Sequence, residues 1–267
     1  MSKEKFKFPQ VRKNYIDISN SFSEAAKLEN PFLFYTEDFL NYKSCLITEE
    51  GKKQPVTDYI AQRLLANPII SNISDVTNPE KYLVGHDGKQ KKITNRIEER
   101  FAKALFTAHQ NNIDKFKQTD FGYIVDYQTP ITRDSSTTGY GKIDLISISD
   151  KKQKNYLLEL KRSNSEETLL RAVCEIYTYF KQIQPDNLIK ELPNNYDFVP
   201  AVLVFENSFQ HKQYEFEKFY NNIPNPYANV KELMKKLGVK MFIISSTKAF
   251  DSSHMMPFAQ NCTITEI

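Results

Sequence analysis

Apolar residues recur every three to four positions in several stretches of the chain, which predicts helices. The predicted helices are residues 56–66, a helix that starts at residue 93 with Thr94 as its N-cap, residues 165–183 and residues 229–237. Pro68 follows the first of them and Gly238 the last, and both residue types commonly end helices.

Short apolar runs with polar boundaries predict strands. They cover residues 123–131, 143–148, 156–161, 199–205 and 239–244. The short polar connection at 149–155 favours an antiparallel hairpin between the second and third strands. A helix lies between the last two, which favours parallel pairing and burial on both faces. We therefore expect an α/β fold, with a mixed central sheet flanked by helices.

The first 92 residues carry weaker patterns. Residues 31–42 are rich in aromatic side chains and fit either a helix or a short strand pair. Residues 72–92 are polar and fit a loop or a hairpin. We divide the chain into an N-terminal extension or accessory subdomain, residues 1–92, and a core domain, residues 93–267. Substrate recognition, extension of the sheet and a homodimer contact are open roles for the extension.

Composition excludes several classes of protein. Hydrophobic residues make up 40% and charged residues 26% of the chain, as in ordinary globular proteins. The net charge of +3 permits contact with a polyanion without requiring it. The 3 cysteines are far apart and the 4 histidines show no metal-binding spacing. No secretion signal or membrane-spanning run is visible, so we expect a cytoplasmic protein with no membrane contact.

Three charged residues stand inside predicted strands, where burial is costly unless the charge is paired or bound to a metal. Asp144 lies in strand 143–148, and Glu159 and Lys161 lie in strand 156–161. Because side chains alternate along a strand, Glu159 and Lys161 share a face, and a suitable hairpin register would set Asp144 across from them. Two converging carboxylates favour Mg²⁺ or Mn²⁺, and the ammonium would stabilise developing negative charge. These groups suit phosphodiester hydrolysis.

A solvated ion pair at the end of an edge strand is the competing interpretation of the same three charges. Pairs of that kind contribute only about 0–1 kcal/mol to stability.

The segment Gly141-Lys142-Ile143-Asp144, followed after a hairpin by Glu159-Leu160-Lys161, resembles the PD-(D/E)XK, or restriction-endonuclease-like, nuclease superfamily. The resemblance covers roughly residues 93–244 and departs from the family pattern at Ile143, which replaces the proline. It implies a restriction-endonuclease-like core. It also implies that Asp144, Glu159 and the backbone carbonyl of Leu160 hold Mg²⁺ or Mn²⁺, and that Lys161 assists the attacking water.

The resemblance further implies an acidic residue on the helix before the sheet and a polar residue on the helix after it. Glu98 is our choice for the first, because it shares the apolar face of its helix, and Glu99 is the reserve. Both glutamates also fit an ordinary role at a helix N-terminus. For the second helix we choose Glu175 ahead of Tyr179 and Gln182.

Basic residues near these segments are candidates for contact with substrate. The candidates are Lys92, Arg96, Arg162 and Arg171. The run around Lys92 and Arg96 fits a solvated loop and helix face as well as a phosphate-binding rim. Among the histidines, His211 is the one that we follow into the structure.

The resulting hypothesis is a metal-dependent nuclease. DNA is favoured over RNA, although no residue separates the two, and cutting within a strand is not distinguished from cutting at an end. The alternative is a nuclease-like module without activity that binds nucleic acid or a partner protein.

Overall fold

Helices surround a six-stranded sheet in the computed structural model, which describes residues 14–27, 31–73, 81–86, 96–132, 141–215, 223 and 225–267. The helices are α1 (Tyr15–Ala25), α2 (Val56–Ala66), α3 (Ile97–Gln110), α4 (Ile113–Lys117), α5 (Leu169–Gln182), α6 (Pro185–Ile189), α7 (Phe209–Glu215), α8 (Ala228–Leu237) and α9 (Met256–Gln260). The strands are β1 (Cys45–Ile47), β2 (Lys53–Pro55), β3 (Tyr123–Pro130), β4 (Lys142–Ser149), β5 (Lys154–Lys161), β6 (Asp197–Phe205), β7 (Lys240–Ser246) and β8 (Cys262–Glu266).

The sheet is mixed and its strands follow chain order, from β3 at one edge to β8 at the other. β5, β6 and β7 run parallel, and the remaining neighbours pair antiparallel. A parallel pair needs a crossover connection, and α5 with α6 and α7 with α8 supply the two that are required. A tight turn joins β4 to β5, so these two strands form the predicted hairpin.

Each face of the sheet is covered by its own hydrophobic cluster. α3 and α9 pack on one face through residues such as Phe101, Leu105 and Phe258. α5, α8 and α2 pack on the other, where Leu157 and Val202 point from the sheet. The expectation of a mixed sheet flanked by helices is therefore confirmed.

The N-terminal part of the chain packs on the face that α5 covers. α1, α2 and two 3-10 helices, Pro31–Thr36 and Asp38–Asn41, belong to the same hydrophobic cluster as α5 and α8. The β1–β2 hairpin leads into α2. The proposed boundary between residues 92 and 93 lies outside the described residues, so the division into two domains stays a prediction.

The predicted elements of the core agree with the structure except at two helix starts. The helix expected from residue 93 begins at Ile97, because the backbone of Arg96 before it is extended. The helix expected over residues 165–183 begins at Leu169, because the Thr168 side chain accepts a hydrogen bond from the Arg171 backbone N–H and caps it. Residues 31–42 form short helices and not a strand pair. Within 72–92, the described residues 81–86 are neither helix nor strand. Thr94 lies outside the described residues.

The lengths and hydropathy of the described helices bear on membrane contact. In the part of the chain that the structure describes, none of them is both long and apolar enough to cross a bilayer.

Candidate functional site

Asp144 and Glu159 lie on neighbouring strands. The β4–β5 ladder ends at the pair Leu145–Leu158, and one further step in the same register would set Asp144 opposite Glu159. Both side chains line the same cleft. Directly opposed residues of an antiparallel pair lie on the same side of the sheet, with Cβ atoms about 5 Å apart. Lys161 lies two residues after Glu159 and therefore shares its side. The structure thus brings together the three charges that the sequence singled out.

Hydrogen bonds at both oxygens fix the carboxylate of Asp144. The backbone N–H of Leu160 donates to Oδ2 at 2.9 Å, and the side-chain amide of Gln128 donates to Oδ1 at 2.6 Å. Gln128 belongs to the edge strand β3, where the register places it opposite Asp144. Its φ of 51° is uncommon for a residue other than glycine. A carboxylate oxygen accepts more than one bond, so Asp144 keeps capacity for a further partner.

Three carboxylates surround the buried ammonium of Lys161. Its Nζ lies 2.7 Å from Oε1 of Glu159 and 3.1 Å from Oε2 of Glu175, and it also contacts Oε2 of Glu167. Glu159 comes from β5, Glu175 from α5 and Glu167 from the turn between them. The three carboxylates match the three N–H donors of an ammonium.

The capped start of α5 determines which residues of that helix reach the sheet. Glu175 lies in the second turn, and its Oε1 accepts a hydrogen bond from the hydroxyl of Tyr179 at 2.9 Å. That hydroxyl also lies 3.3 Å from the hydroxyl of Tyr35 in the N-terminal part of the chain. Glu175 is thus held between Tyr179 and Lys161, which orients both of its oxygens.

Glu98 approaches from the opposite face of the sheet. It lies in the first turn of α3, and its Oε1 accepts a 3.4 Å hydrogen bond from the backbone N–H of Arg162, just past the end of β5. Together these groups enclose a cleft of about 530 Å³. Its lining consists of Arg96, Ile97, Glu98, Glu99, Gln128, Gly141, Lys142, Asp144, Glu159, Lys161, Arg162, Glu167, Glu175 and Tyr179.

Burial and crowding shift the proton affinities of the acidic groups in the cleft. Burial raises the pKa of Asp144 to about 7; Lys161 and the Leu160 N–H oppose this, while Glu175 and Glu98 add to it. Burial, followed by repulsion from Asp144 and Glu175, raises the pKa of Glu159 well above its ordinary value. Because like charges are crowded here, a bound cation would stabilise the ionised carboxylates.

The ammonium behaves in the opposite way. Burial alone would lower the pKa of Lys161, but the carboxylates of Glu159, Glu175 and Glu167 outweigh burial and raise it. Lys161 is therefore a charged group at neutral pH, held in place by its acidic neighbours.

Only some of the basic residues that were predicted to contact substrate line the cleft. Arg96 and Arg162 line the cleft, together with Lys142, which is not among the predicted substrate contacts. The Nε of Arg171 lies 3.3 Å from Oε1 of Glu167, so its guanidinium is directed at a carboxylate. Lys92 lies outside the described residues.

Sequence reasoning missed Gln128 and Glu167. Gln128 reaches Asp144 only through the β3–β4 register, for which the sequence offers no separate signal. Glu167 was included in the predicted helix from residue 165, and recognition of Thr168 as the N-cap would have placed it in the preceding turn. Both residues contact the predicted charges directly.

His211 has a structural role. Its Nδ1 accepts a hydrogen bond from the Asn207 backbone N–H at 2.9 Å, and its Nε2 lies 3.0 Å from Glu215. These contacts hold the turn before α7 and one face of that helix.

A larger cleft of about 710 Å³ lies beside α8 and β7. Lysines line much of it, including Lys235 and Lys240, and Lys240 pairs with Glu266 at 3.0 Å. It contains none of the predicted site residues, and the carboxylates converge in the smaller cleft.

The acidic cleft offers oxygen donors to a metal. Among the described residues, no group of three or more His, Cys, Asp or Glu side chains is arranged to hold an ion by itself. Asp144 and Glu159 alone supply two carboxylates, and Oε2 of Glu159 accepts no hydrogen bond from a described residue. Mg²⁺ commonly takes one or two carboxylates and completes its shell with water and substrate oxygens, so the donor set fits such an ion.

Comparison with protein-family models, with curated proteins and with solved structures finds no match to this chain.

Proposed function

We propose that this protein is a metal-dependent nuclease that hydrolyses phosphodiester bonds, with DNA favoured over RNA as its substrate. One observation carries the proposal: Asp144 at the start of β4 and Glu159 on β5 line one cleft, beside the buried ammonium of Lys161. Carboxylates with strongly raised pKa values in a cleft are typical of functional sites.

Asp144, Glu159 and the backbone carbonyl of Leu160 would hold Mg²⁺ or Mn²⁺. All three donors are oxygen atoms, which suit these ions better than softer metals. When bound, the ion would lower the pKa of a coordinated water and polarise a phosphoryl oxygen.

Residues of the chain supply the remaining functions. Lys161 keeps its positive charge near the scissile phosphate and stabilises the negative charge that develops there. Gln128 and the Leu160 N–H hold Asp144 in one orientation. Glu98 fixes the end of β5 through the Arg162 N–H. Arg96, Lys142 and Arg162 lie where they would contact flanking phosphates.

The fold is in accord with a restriction-endonuclease-like core. α3 precedes the sheet, the β4–β5 hairpin carries the acidic residues, and α5 follows and packs on the face that holds Lys161. The site lies at the end of β5 where these elements meet. Both this arrangement of elements and the sequence motif resemble the restriction-endonuclease-like pattern, and both support the proposal.

A cleavage assay tests the proposal. Labelled double-stranded DNA, single-stranded DNA and RNA are incubated with Mg²⁺ or Mn²⁺, and in parallel with a chelator. We expect cutting that needs the metal and falls by about 10²- to 10³-fold in Asp144→Ala, since loss of one group that stabilises charge in a site typically costs that much. Asp114→Ala, on an exposed carboxylate of α4, is the matched control. Absence of cutting on every substrate would count against a nuclease.

The alternative is an inactive module that binds nucleic acid or a partner protein. One observation favours it: the ammonium of Lys161 is already paired with three carboxylates. Calorimetry separates the two functions. A nuclease binds Mn²⁺ with an affinity that Asp144→Ala removes, whereas an inactive module binds DNA in a salt-dependent manner without binding the metal.

A further inference from the structure

The three carboxylates around Lys161 differ in how they are held. The side chains of Glu159 and Glu175 are 6% and 16% exposed, whereas that of Glu167 is 31% exposed. Glu159 is fixed in a strand and Glu175 in a helix. Glu167 lies in the turn between them, so its carboxylate is the most accessible of the three.

The backbone of Glu167 is fixed although its side chain is accessible. Its N–H donates to Oγ of Ser165 at 3.3 Å, and its carbonyl accepts a 2.6 Å hydrogen bond from the side-chain amide of Gln210. The next residue, Thr168, is buried and caps α5. The Glu167 carboxylate can therefore move by side-chain rotation alone, without any change in the fold.

Arg171 offers the carboxylate a second partner. Its Nε is buried, and no described residue accepts a hydrogen bond from it, although Oε1 of Glu167 is only 3.3 Å away. A buried donor without an acceptor costs free energy. Oε1 of Glu167 is already paired with Arg171 while Oε2 contacts Lys161, so a rotation that moves the carboxylate off Lys161 would keep its contact with Arg171 and improve the hydrogen bond there.

A phosphate entering the cleft needs N–H donors from Lys161, and all three are engaged by carboxylates. We propose that Glu167 is an internal anion that occupies the phosphate-binding position on Lys161 and turns wholly to Arg171, which it already contacts, when a substrate phosphate replaces it. This inference rests on the proposed function and adds regulation of the same site: only an anion that outcompetes Glu167 gains access to Lys161.

The experiment compares two substitutions in the turn before α5. Glu167→Gln removes the proposed competitor. Glu166→Gln removes an equal charge from the preceding residue, whose side chain is 92% exposed and lies 3.9 Å from Lys43. Inorganic phosphate is titrated by calorimetry, and a short fluorescent DNA duplex by anisotropy over a range of salt concentrations. A chelator is present throughout, so that cleavage plays no part.

We expect Glu167→Gln to bind phosphate about fivefold more tightly and the duplex about tenfold more tightly, because a like charge has left the binding position. The slope of log affinity against log salt should steepen by roughly 0.9, the contribution of one additional phosphate contact. Glu166→Gln should remain within about twofold of the wild type, as expected for a screened surface charge. Equal effects of the two variants, or weaker binding by Glu167→Gln, would overturn the inference.

Arg171→Gln should change the phosphate affinity in the opposite direction. Without Arg171 the Glu167 carboxylate has no alternative partner, so phosphate should bind more weakly. This decrease in affinity should vanish in the Glu167→Gln background, where no carboxylate needs the arginine. An equal loss in both backgrounds would show a general charge effect and contradict the turn of Glu167 to Arg171. Thermal melts of all variants confirm that they are folded.

The outcomes also separate this inference from the proposed function. Tighter phosphate binding by Glu167→Gln, without duplex binding or cleavage by any form, would refute the nuclease and keep the internal anion. Metal-dependent cleavage by the wild type, with no gain in Glu167→Gln, would keep the nuclease and refute the internal anion.

Discussion

Gly141 lies so close to Tyr179 that a Cβ at residue 141 would stand 1.9 Å from the tyrosine hydroxyl oxygen. The same hydroxyl donates to Glu175, which in turn contacts Lys161. The missing side chain at Gly141 therefore allows the start of β4 to approach α5, and this approach completes the cleft.

Gly141→Ala should damage both the site and the fold. The added methyl group would displace the Tyr179 ring and disturb Glu175, so we expect metal-dependent cleavage to fall about tenfold or more. Overpacking of this kind costs about 2 kcal/mol of unfolding free energy, measurable by urea denaturation. In a Tyr179→Ala background the same substitution should cost far less, because the space is already open. If Gly141→Ala were as stable and as active as the wild type, the close approach of Gly141 to Tyr179 would be contradicted.

Gln128→Ala should weaken metal binding without unfolding the protein. Its amide is 2.6 Å from Asp144 Oδ1, and loss of a partner that orients a metal ligand typically lowers affinity about 10- to 100-fold. Calorimetry with Mn²⁺ measures the change. Gln153→Ala is the matched control, because Gln153 also has a positive φ, of 53°, and is an exposed residue of the β4–β5 turn. Equal metal affinity in the two variants would refute the positioning role.

Asp144→Asn should abolish metal binding and yet stabilise the fold. The substitution removes a charge that is held close to Glu159 and Glu175. An amide of the same shape can still accept the Leu160 hydrogen bond, and its NH2 group can donate to Gln128 once the amide of Gln128 turns over. At pH 8 we expect a gain of about 2 kcal/mol in unfolding free energy, as found where active sites sacrifice stability for function. Asp114→Asn, on an exposed side chain, should change stability little. A less stable Asp144→Asn would mean that the carboxylates do not repel each other.

Asp58→Ala should loosen the N-terminal part of the chain from the core. The buried carboxylate of Asp58 in α2 accepts hydrogen bonds from the backbone N–H and the side chain of Asn229, both at 2.8 Å, at the start of α8. Removal leaves these donors without an acceptor, at a cost of about 3 kcal/mol in unfolding free energy. Asp114→Ala should cost less than about 0.5 kcal/mol. Equal costs for the two alanines would exclude a contribution of Asp58 to helix packing.

His109 should make the protein sensitive to acid. The ring is buried against Phe116, with centroids 3.6 Å apart, and burial lowers its pKa to about 3. In the unfolded chain the pKa is near 6.5, so protons favour the unfolded state, and stability is lost as the pH falls below about 6.5. The loss at pH 5 relative to pH 7 is about 2 kcal/mol for this residue.

Denaturation at the two pH values, in wild type and in His109→Phe, isolates this contribution. The variant does not titrate, so its loss between pH 7 and pH 5 should be smaller by about 2 kcal/mol. His254→Gln, on a side chain that is 80% exposed, should leave the difference unchanged. A wild-type pH dependence in His109→Phe would refute the role of the buried ring.

Local patterns were sufficient to predict much of the core. The apolar spacing located α2, α3, α8 and the strands β3 to β7 to within a few residues, because helical and strand periodicities depend on local geometry. The sequence did not reveal α1, the β1–β2 hairpin or β8. These elements are short or polar on one side, and β8 pairs with β7 through a contact that the local pattern does not contain.

The sequence by itself determined that Glu159 and Lys161 share one side of a strand, because alternation along a strand follows from backbone geometry. Only the tertiary structure decided that Gln128 and Glu167 join them. Those contacts depend on the register between β3 and β4 and on the capped start of α5. Register and helix approach are set by packing between distant segments, which no local spacing encodes.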